Sequence, residues 1–300
     1  MTITVFTPTF NRAHLLPVLY ESLCTQTFDD FEWLIVDDGS VDNTEEVVRG
    51  FQKENRITIS YYKKKNGGKH RAVNYGVQKA RGALFFIVDS DDKLPVNSLN
   101  LVNEHYQSIK DDDSFAGVCG LKAYFNGELL PGKIDYEVLE CRGLDYYYRR
   151  KSNAGGDIAE VVVKTSVIKE YPFPEYADEK FCAESAIWNP ICNKYKFRYF
   201  NKVIYLCEFL EDGLSANSLR SRMKCPKSAM HIYKELCLCE VPFSVKIKAA
   251  INYWRFYFCS DGKGNPKISA YFYPFMPLGY YIHRKDLKTS RERLKIGRER

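Results

Sequence analysis

The stretch ALFFIVDSDDKLP, residues 83–95, contains the pattern that decides the fold. Residues 84–88 are apolar and indicate a short buried strand, and Asp89, Asp91 and Asp92 follow this strand directly. Carboxylates packed so closely repel one another unless a cation lies among them. The stretch therefore predicts a buried strand whose carboxyl end binds a ligand or a metal ion, the structural alternative being a turn that caps the next helix.

Three further strand-like segments precede this stretch, at residues 3–7, 31–37 and 57–62. Each is short, apolar and rich in β-branched or aromatic residues, and amphipathic helical segments separate them. This βαβαβαβ order predicts an α/β fold with a mainly parallel, Rossmann-like sheet flanked by helices. In such sheets ligands bind at the carboxyl ends of the strands, where the aspartates are expected.

The regular alternation weakens after residue 115. The later segments indicate two strands, a helix and a pair of strands, at residues 115–125, 159–164, 178–195 and 197–209. The remainder has a helical pattern. We therefore predict a first domain at residues 1–212 and a helical C-terminal appendage at residues 213–300.

Two more polar segments follow the second and third strands. Asp37 and Asp38 begin the turn DDGS, and they either cap the next helix or accept hydrogen bonds from a nucleoside. In KKKNGGKHRAVNYG, residues 63–76, Lys69 and Arg71 lie at a glycine-rich helix start that would attract phosphate, unless it is only a solvated basic turn. The spacing is not that of a P-loop. Together, the three strand ends indicate a nucleoside, a diphosphate and a metal.

Composition and charge limit the functional class. The 300 residues are 45% apolar and their formal net charge of +6 is modest, so bulk charge does not indicate nucleic-acid binding. The first residues, MTITVFTPTFNR, lack a basic start and a long apolar run, which predicts a cytoplasmic protein without a signal peptide. The ten cysteines are scattered singly, a pattern that favours reduced thiols.

The C-terminal part combines aromatic and basic residues. Residues 268–282, ISAYFYPFMPLGYYI, are too few to span a bilayer and include two prolines, and a basic tail follows from Arg284. One interpretation is a docked C-terminus. The other is peripheral contact with the inner face of an anionic membrane, with aromatic side chains at the interface and cations on the headgroups.

Three segments occur in a fixed order: TVFTPTFNRAHLLPVLYESLCTQTFDDFEWLIVDDGSVDNT, NGGKHRAVNYG and FFIVDSDD. Their combination resembles the family 2 glycosyltransferases of the GT-A fold. The resemblance implies an inverting enzyme that moves a sugar from a nucleotide-diphosphate donor, a UDP-sugar first of all, to a hydroxyl of a glycan or lipid-linked acceptor. It also implies Mg²⁺ or Mn²⁺ as cofactor. If the C-terminal part contacts a membrane, we expect a lipid-linked acceptor, as in the synthesis of a bacterial surface polysaccharide.

The resemblance implies roles for residues on the donor side. The base would be contacted by Thr7, Pro8, Thr9 and Asp38. Asp91 would lie near the ribose and Asp92 would bind the metal, with Asp37 and Asp89 as supporting residues. Lys69 or Arg71 would help to neutralise the departing diphosphate.

The resemblance also implies a catalytic base on a later helix, usually in a Glu-Asp pair. In KFCAESAIW, Glu184 is at the matching position and Ser185 replaces the usual aspartate. Asp178 and Glu179 are rivals for this role. Two further carboxylates, in GGDIAEVVVK, are candidates for contact with the acceptor sugar: Asp157 and Glu160.

Three other functions compete with this interpretation. A glycoside hydrolase needs carboxylates that face each other across a groove, which a single strand end does not provide. A nucleotidyltransferase that makes a nucleotide-sugar needs the same base, phosphate and metal contacts, and it would release pyrophosphate. A membrane-associated protein that binds a nucleotide-sugar without turnover is the non-enzyme alternative.

Overall fold

The structure is a computed structural model that describes residues 1–132, 134–149, 159–208 and 218–296, with side chains to residue 288. The chain divides into two compact units. The first comprises Met1–Phe173 and Ile191–Glu211, and the second comprises Pro174–Pro190 and Asp212–Arg300. The second unit thus includes an earlier segment that the predicted boundary after residue 212 assigns to the first domain.

One sheet organises the first unit. Within the described residues its eight strands are β1 (Ile3–Thr9), β2 (Phe31–Asp37), β3 (Ile59–Lys63), β4 (Leu84–Ile87), β5 (Phe115–Tyr124), β6 (Val138–Arg142), β7 (Ala159–Lys164) and β8 (Lys196–Cys207). Their spatial order is β3-β2-β1-β4-β7-β5-β8-β6. The first four are parallel, as are β5 and β8, whereas β7 and β6 run antiparallel to their neighbours. The predicted mainly parallel α/β sheet is confirmed.

Helices cover both faces of this sheet. They are α1 (Leu16–Cys24), α2 (Thr44–Glu54), α3 (Lys69–Lys79), α4 (Ser98–Gln107), α5 (Gly143–Tyr148) and α6 (Thr165–Glu170). The next helix along the chain, α7 (Ser185–Lys194), begins in the second unit and ends in the first. Every residue of β1 and β2 is buried, as expected for parallel strands covered on both sides. The helix α2 buries Thr44, Val48 and Phe51, whose spacing places them on one helix face. This packing fixes the strand ends that carry the polar motifs.

Two predicted elements differ in the structure. The segment predicted as paired strands at residues 197–209 forms one long strand, β8, up to Cys207. Asn201 and Lys202 look like a turn in the sequence, but the register against β5 shifts between Tyr199 and Val203 and absorbs them. The helix predicted from residue 178 begins only at Ser185.

The second unit is helical, which confirms the predicted C-terminal helices. It contains α8 (Ser218–Lys224), α9 (Pro226–Leu238), α10 (Phe243–Tyr257), a 3₁₀ helix (Ala270–Phe275) and α11 (Met276–Ile296). The indole N–H of the buried Trp254 donates to the carbonyl of Phe272 at 2.9 Å, and Arg255 makes two hydrogen bonds to Asp286 at 2.5 and 2.8 Å. These bonds tie α10 to the 3₁₀ helix and to α11.

None of the helices within the described residues is both long enough and apolar enough to span a membrane.

Candidate active site

Three aspartates lie together directly after β4. Carboxylate oxygens of Asp89, Asp91 and Asp92 lie within 4.8 Å of one another. Asp92 is 8% exposed, and the other two are partly exposed. The chain turns here because the Asp92 N–H donates to the carbonyl of Asp89 at 3.1 Å. Oxygen ligands of this kind suit Mg²⁺ or Mn²⁺, so the aspartate cluster can hold a divalent cation.

The carboxylates of the aspartate cluster are costly to ionise together. Burial, reinforced by the charge of Asp89, raises the pKa of Asp92 to about 8. Burial and the charge of Asp89 also raise the pKa of Asp91. The positive charges of Arg12 and Lys69 lower this pKa, but by less. A divalent cation among the three carboxylates would relieve this repulsion. The donor set therefore fits a metal ion, and Asp91 and Asp92 would gain the most from it.

Tyr205 of β8 contacts the aspartate cluster, although no motif marks it in the sequence. Its hydroxyl donates to Oδ2 of Asp92 at 2.6 Å and accepts the N–H of Asp89 at 3.1 Å. Burial and the charges of Asp89 and Asp92 hold the pKa of Tyr205 well above its usual value, so the hydroxyl keeps its proton. The only signal for Tyr205 in the sequence is its place in an apolar, strand-like segment.

The predicted glycine-rich start of α3 lies beside the aspartate cluster. Gly68 has φ +100°, a conformation that favours glycine, and α3 begins at the next residue, Lys69. The Lys69 ammonium forms an ion pair with Asp89 at 2.7 Å, and the guanidinium of Arg71 donates to the carbonyl of Gly67 at 3.2 Å. A phosphate at this helix start would therefore be close to a metal held by the aspartates.

Asp38 holds the loop that leads into α3. Its Oδ1 accepts hydrogen bonds from Lys64 Nζ at 2.6 Å and from the N–H of Gly67 at 2.9 Å. Its Oδ2 accepts from the N–H of Gly68 at 2.6 Å and from the Asn66 amide at 3.2 Å. Asp38 therefore shapes one wall of the candidate site, and its contact with a nucleotide base stays a prediction.

Asp37 is fully buried at the end of β2. The N–H of Ser40 donates to its Oδ1 at 2.7 Å, and the hydroxyl of Tyr61 donates to its Oδ2 at 2.7 Å. Oδ1 thus closes the DDGS turn, and Oδ2 ties that turn to β3. This is a structural task, and a supporting role toward the donor stays a prediction.

The segment Thr7, Pro8 and Thr9 forms the buried carboxyl end of β1. The hydroxyl of Thr7 accepts the indole N–H of Trp33 at 2.9 Å, so it is engaged within the sheet. The hydroxyl oxygen of Thr9 is buried and has no hydrogen-bond partner within the described part of the chain. An unpaired buried hydroxyl is costly, which makes Thr9 the one of the three whose side chain best suits a ligand contact.

Glu160 of β7 belongs to the electrostatic surroundings of the aspartate cluster. It forms an ion pair with Lys122 at 3.3 Å, and its charge contributes to the raised pKa of Asp92. Its predicted contact with an acceptor sugar stays a prediction. Asp157, the second acceptor-side candidate, lies outside the residues that the structure describes.

The candidates for the catalytic base lie in the second unit. Glu184 is half-buried immediately before α7, and its Oε2 accepts the indole N–H of Trp188 at 3.3 Å. Glu179 is 3% exposed, and its two oxygens accept the N–H groups of Lys227 and Ser228 at 2.6 and 2.7 Å. Glu179 thus caps the start of α9, which makes it a poor base because its carboxylate is already occupied. Asp178 is exposed.

Comparison with solved structures gives the same fold. The chain is 20% identical to residues 1–349 of Staphylococcus aureus TarS, with a TM-score of 0.61 over 92% of this chain and 77% of that one. It is 15% identical to the mannosyltransferase PcManGT of Pyrobaculum calidifontis, solved with GDP-Man and Mn²⁺, with a TM-score of 0.54 over 95% of this chain and 86% of that one. At these identities the likeness concerns the fold.

Sequence comparison identifies shorter similarities. The chain is 34% identical over 113 residues to the glycosyltransferase GlyG of Streptococcus pneumoniae serotype 4. The aligned residues make up 37% of this chain and 36% of GlyG. It is 29% identical over 115 residues to the poly(ribitol-phosphate) beta-N-acetylglucosaminyltransferase TarS of Staphylococcus aureus, or 36% of this chain and 20% of TarS. The chain spans about a third or less of the length of the first curated relatives it matches.

The family model for glycosyl transferase family 2 matches residues 4–173. This range contains β1 from its second residue, β2 to β4, the aspartate cluster and the glycine-rich start of α3. The resemblance inferred from the sequence motifs is thus confirmed over more than half of the 300 residues. The chain belongs to glycosyl transferase family 2.

Proposed function

We propose that the chain is a metal-dependent, inverting glycosyltransferase that moves a sugar from a nucleotide-diphosphate donor to a hydroxyl of a glycan or lipid-linked acceptor. The observation that carries the proposal is the aspartate cluster, whose carboxylate oxygens lie within 4.8 Å of one another at the ligand edge of the sheet. The charge on these groups favours a cation, and the adjacent start of α3 favours a diphosphate.

Asp91 and Asp92 would hold Mg²⁺ or Mn²⁺, with Asp91 also near the ribose. The bound cation supplies charge that neutralises the diphosphate and makes it a better leaving group. Lys69 and Arg71, in the first turn of α3, would stabilise the same charge. The predicted contacts of Thr7, Pro8, Thr9 and Asp38 would place the base so that the anomeric carbon is exposed to the acceptor.

In the transfer step, an acceptor hydroxyl oxygen forms a bond to the anomeric carbon while the bond to the diphosphate oxygen breaks. The hydroxyl proton passes to a carboxylate, and the nucleoside diphosphate leaves with the electron pair. On the family resemblance, that carboxylate is Glu184, an assignment that stays a prediction. A single displacement of this kind inverts the configuration at the anomeric carbon.

The comparisons support a nucleotide-sugar donor. TarS has been solved with UDP and with UDP-GlcNAc, and PcManGT with GDP-Man and Mn²⁺. We therefore propose a UDP-sugar as the first donor to test and a bacterial surface polysaccharide as the product. The cytoplasmic location expected from the sequence stays a prediction.

We also propose peripheral contact with an anionic membrane through the second unit. Tyr271, Leu278 and Tyr281 are 65%, 52% and 68% exposed. Arg284 and Lys288 are exposed on the next turns of α11, three and seven residues after Tyr281, and so on the same side of the helix. Exposed aromatic residues followed by cations suit an interface with anionic headgroups. Such contact would bring the enzyme to a lipid-linked acceptor.

The first experiment is calorimetric titration of the full chain with UDP, GDP and dTDP, in Mn²⁺ and then in EDTA. We expect one nucleotide to bind in Mn²⁺ and to bind much more weakly in EDTA. Asp92→Ala should abolish the metal-dependent part, whereas Asp113→Ala, an exposed aspartate of the first unit, should leave it unchanged. No binding of any nucleotide by folded protein would contradict the proposal.

A second readout separates the competing enzymes. A glycosyltransferase incubated with the matching nucleotide-sugar and an acceptor releases a nucleoside diphosphate. A nucleotidyltransferase incubated with a nucleoside triphosphate and a sugar phosphate releases pyrophosphate instead. Metal-dependent nucleotide binding without either product would favour a non-catalytic binding protein.

A further inference from the structure

Residues 204–206 of β8 hold the loop that carries the aspartate cluster. Just beyond the loop, at the first residue of α4, the Ser98 hydroxyl donates to the carbonyl of Ile204 at 2.6 Å. The backbone of Leu206 exchanges hydrogen bonds of 2.9 and 3.1 Å with Lys93. Between them, Tyr205 reaches the aspartates themselves. Because β4 ends at Ile87, before the first aspartate, the loop takes much of its position from β8.

The hydroxyl of Tyr205 makes two different hydrogen bonds to the cluster. The backbone N–H of Asp89 is a donor, so the hydroxyl accepts that bond at 3.1 Å. Its single proton is then used in the 2.6 Å bond to Oδ2 of Asp92, a short bond to a carboxylate. The bond fixes the orientation of the Asp92 carboxylate, whose oxygens keep lone pairs that could bind a cation.

The ring of Tyr205 is fixed by the core. Tyr205 is 5% exposed and its ring centroid lies 6.1 Å from that of Phe86 on β4. A buried ring on a paired strand cannot move its hydroxyl without repacking its neighbours. The hydroxyl is therefore a rigid support for a carboxylate on a loop.

We propose that Tyr205 is a positioning residue of the metal site, which orients the Asp92 carboxylate and fixes the Asp89 backbone so that the cluster is preformed for a divalent cation and a nucleoside diphosphate. This inference rests on the proposed function. Tyr205 would act as a residue that hydrogen-bonds to a metal-binding side chain and orients it. Loss of such a residue typically weakens metal binding about 10–100-fold.

The test uses Tyr205→Phe, which removes only the hydroxyl and keeps the ring in the core. Two control variants separate orientation of Asp92 from general stability. Tyr199→Phe removes a hydroxyl from a fully buried tyrosine of the same strand, which stacks on Tyr146. Ser98→Ala removes the hydrogen bond between the start of α4 and the carbonyl of Ile204, which lies outside the aspartate loop and involves no carboxylate. Each full-length variant is titrated with the matching nucleoside diphosphate in Mn²⁺ and in EDTA, and its melting temperature is measured.

For Tyr205→Phe we expect binding in Mn²⁺ to weaken about 10-fold or more, while the weaker binding in EDTA changes less than about twofold. The controls should lower the melting temperature but keep the wild-type affinity in Mn²⁺. Wild-type affinity in Tyr205→Phe, or equal weakening in either control, would overturn the positioning role while leaving the proposed function intact. A wild-type chain that binds no nucleotide in Mn²⁺ would overturn both.

Discussion

The ammonium group of Lys69 lies 2.7 Å from Oδ1 of Asp89 and 2.8 Å from Oδ2. Lys69 opens α3, and Asp89 follows β4, so this pair joins the glycine-rich helix start to the aspartate cluster. The positive charge of Lys69 also acts on Asp91, whose pKa it lowers against the effects of burial and of the Asp89 charge. When a cation and a diphosphate are present, the same ammonium is close enough to interact with phosphate oxygens.

Replacing Lys69 with methionine tests this link. We expect Lys69→Met to weaken nucleoside diphosphate binding in Mn²⁺ about 10-fold, because a phosphate-facing positive charge is lost. The free energy of unfolding should change by less than about 1 kcal/mol, because both partners are partly exposed. Calorimetry and urea unfolding measure the two effects.

Lys63→Met is the matched control. Lys63 lies on β3 and forms an exposed ion pair with Glu45 at 3.6 Å, which the substitution removes. Its nucleotide affinity should stay within about twofold of the wild type if general surface charge is unimportant. Equal weakening in both variants would mean that Lys69 acts only through net charge.

Asp38→Asn tests whether Asp38 anchors the loop before α3. The two oxygens of Asp38 now accept hydrogen bonds from backbone N–H groups and from an ammonium group. An asparagine keeps only one acceptor oxygen, and its NH₂ group would face one or more of these donors without being able to accept a hydrogen bond. We expect the free energy of unfolding to fall by about 1–3 kcal/mol, because buried donors lose their partner. Urea unfolding measures the loss, with Glu46→Gln on the exposed side of α2 as the control. If Asp38→Asn changed the free energy of unfolding as little as Glu46→Gln does, the loop before α3 would not depend on Asp38 for its stability.

The parts of the fold and site that are predictable from sequence are local. β2 and β7 are found where the apolar runs place them, and Asp89, Asp91 and Asp92 meet because they are neighbours along one turn. The βαβ order also places the start of α3 and the cluster at the same edge of the sheet. It does not predict the ion pair of Lys69 with Asp89, because β2 and β1 lie between β3 and β4.

The remaining features depend on contacts between distant parts of the chain. Tyr205 is 113 residues from Asp92 along the chain, and nothing in an apolar strand marks which aromatic side chain will meet a carboxylate. Glu179 appears in the sequence as one more helix carboxylate, yet it caps α9 by accepting the N–H of Lys227, 48 residues later. The irregular pairing within β8 likewise depends on β5, not on the polar residues that look like a turn.

The stability of the chain should depend on pH through Asp42. Burial raises the pKa of Asp42, but hydrogen bonds from the Thr44 hydroxyl at 2.6 Å and from the N–H of Ala13 at 3.1 Å outweigh it, so the pKa lies below 3.8. A lowered carboxyl pKa stabilises the folded chain above the unfolded pKa, and this contribution is lost as the pH falls through the folded value. The difference in urea midpoint between wild type and Asp42→Asn should therefore be constant near neutral pH and shrink below about pH 5.

A double-mutant cycle with Thr44→Val checks the origin of this pH dependence. In the wild-type background, removing the Thr44 hydroxyl should reduce the change of the urea midpoint with pH. In the Asp42→Asn background it should have little effect on that change, because the carboxylate that the hydroxyl stabilises is already absent. If the difference between wild type and Asp42→Asn stayed the same from neutral to acidic pH, the carboxylate would not be the source of the effect.

Membrane contact through the second unit should depend on exposed tyrosines. We expect the full chain to co-sediment with vesicles that contain phosphatidylglycerol, and less so with phosphatidylcholine alone or in high salt, because cations contribute to binding. Replacing Tyr271 and Tyr281 with serine should weaken binding about fivefold or more, since two largely exposed aromatic side chains lose their burial at the interface. The control replaces Tyr147 and Tyr148, each 37% exposed in the first unit, with serine. Equal co-sedimentation of both double variants would place any lipid contact elsewhere on the chain.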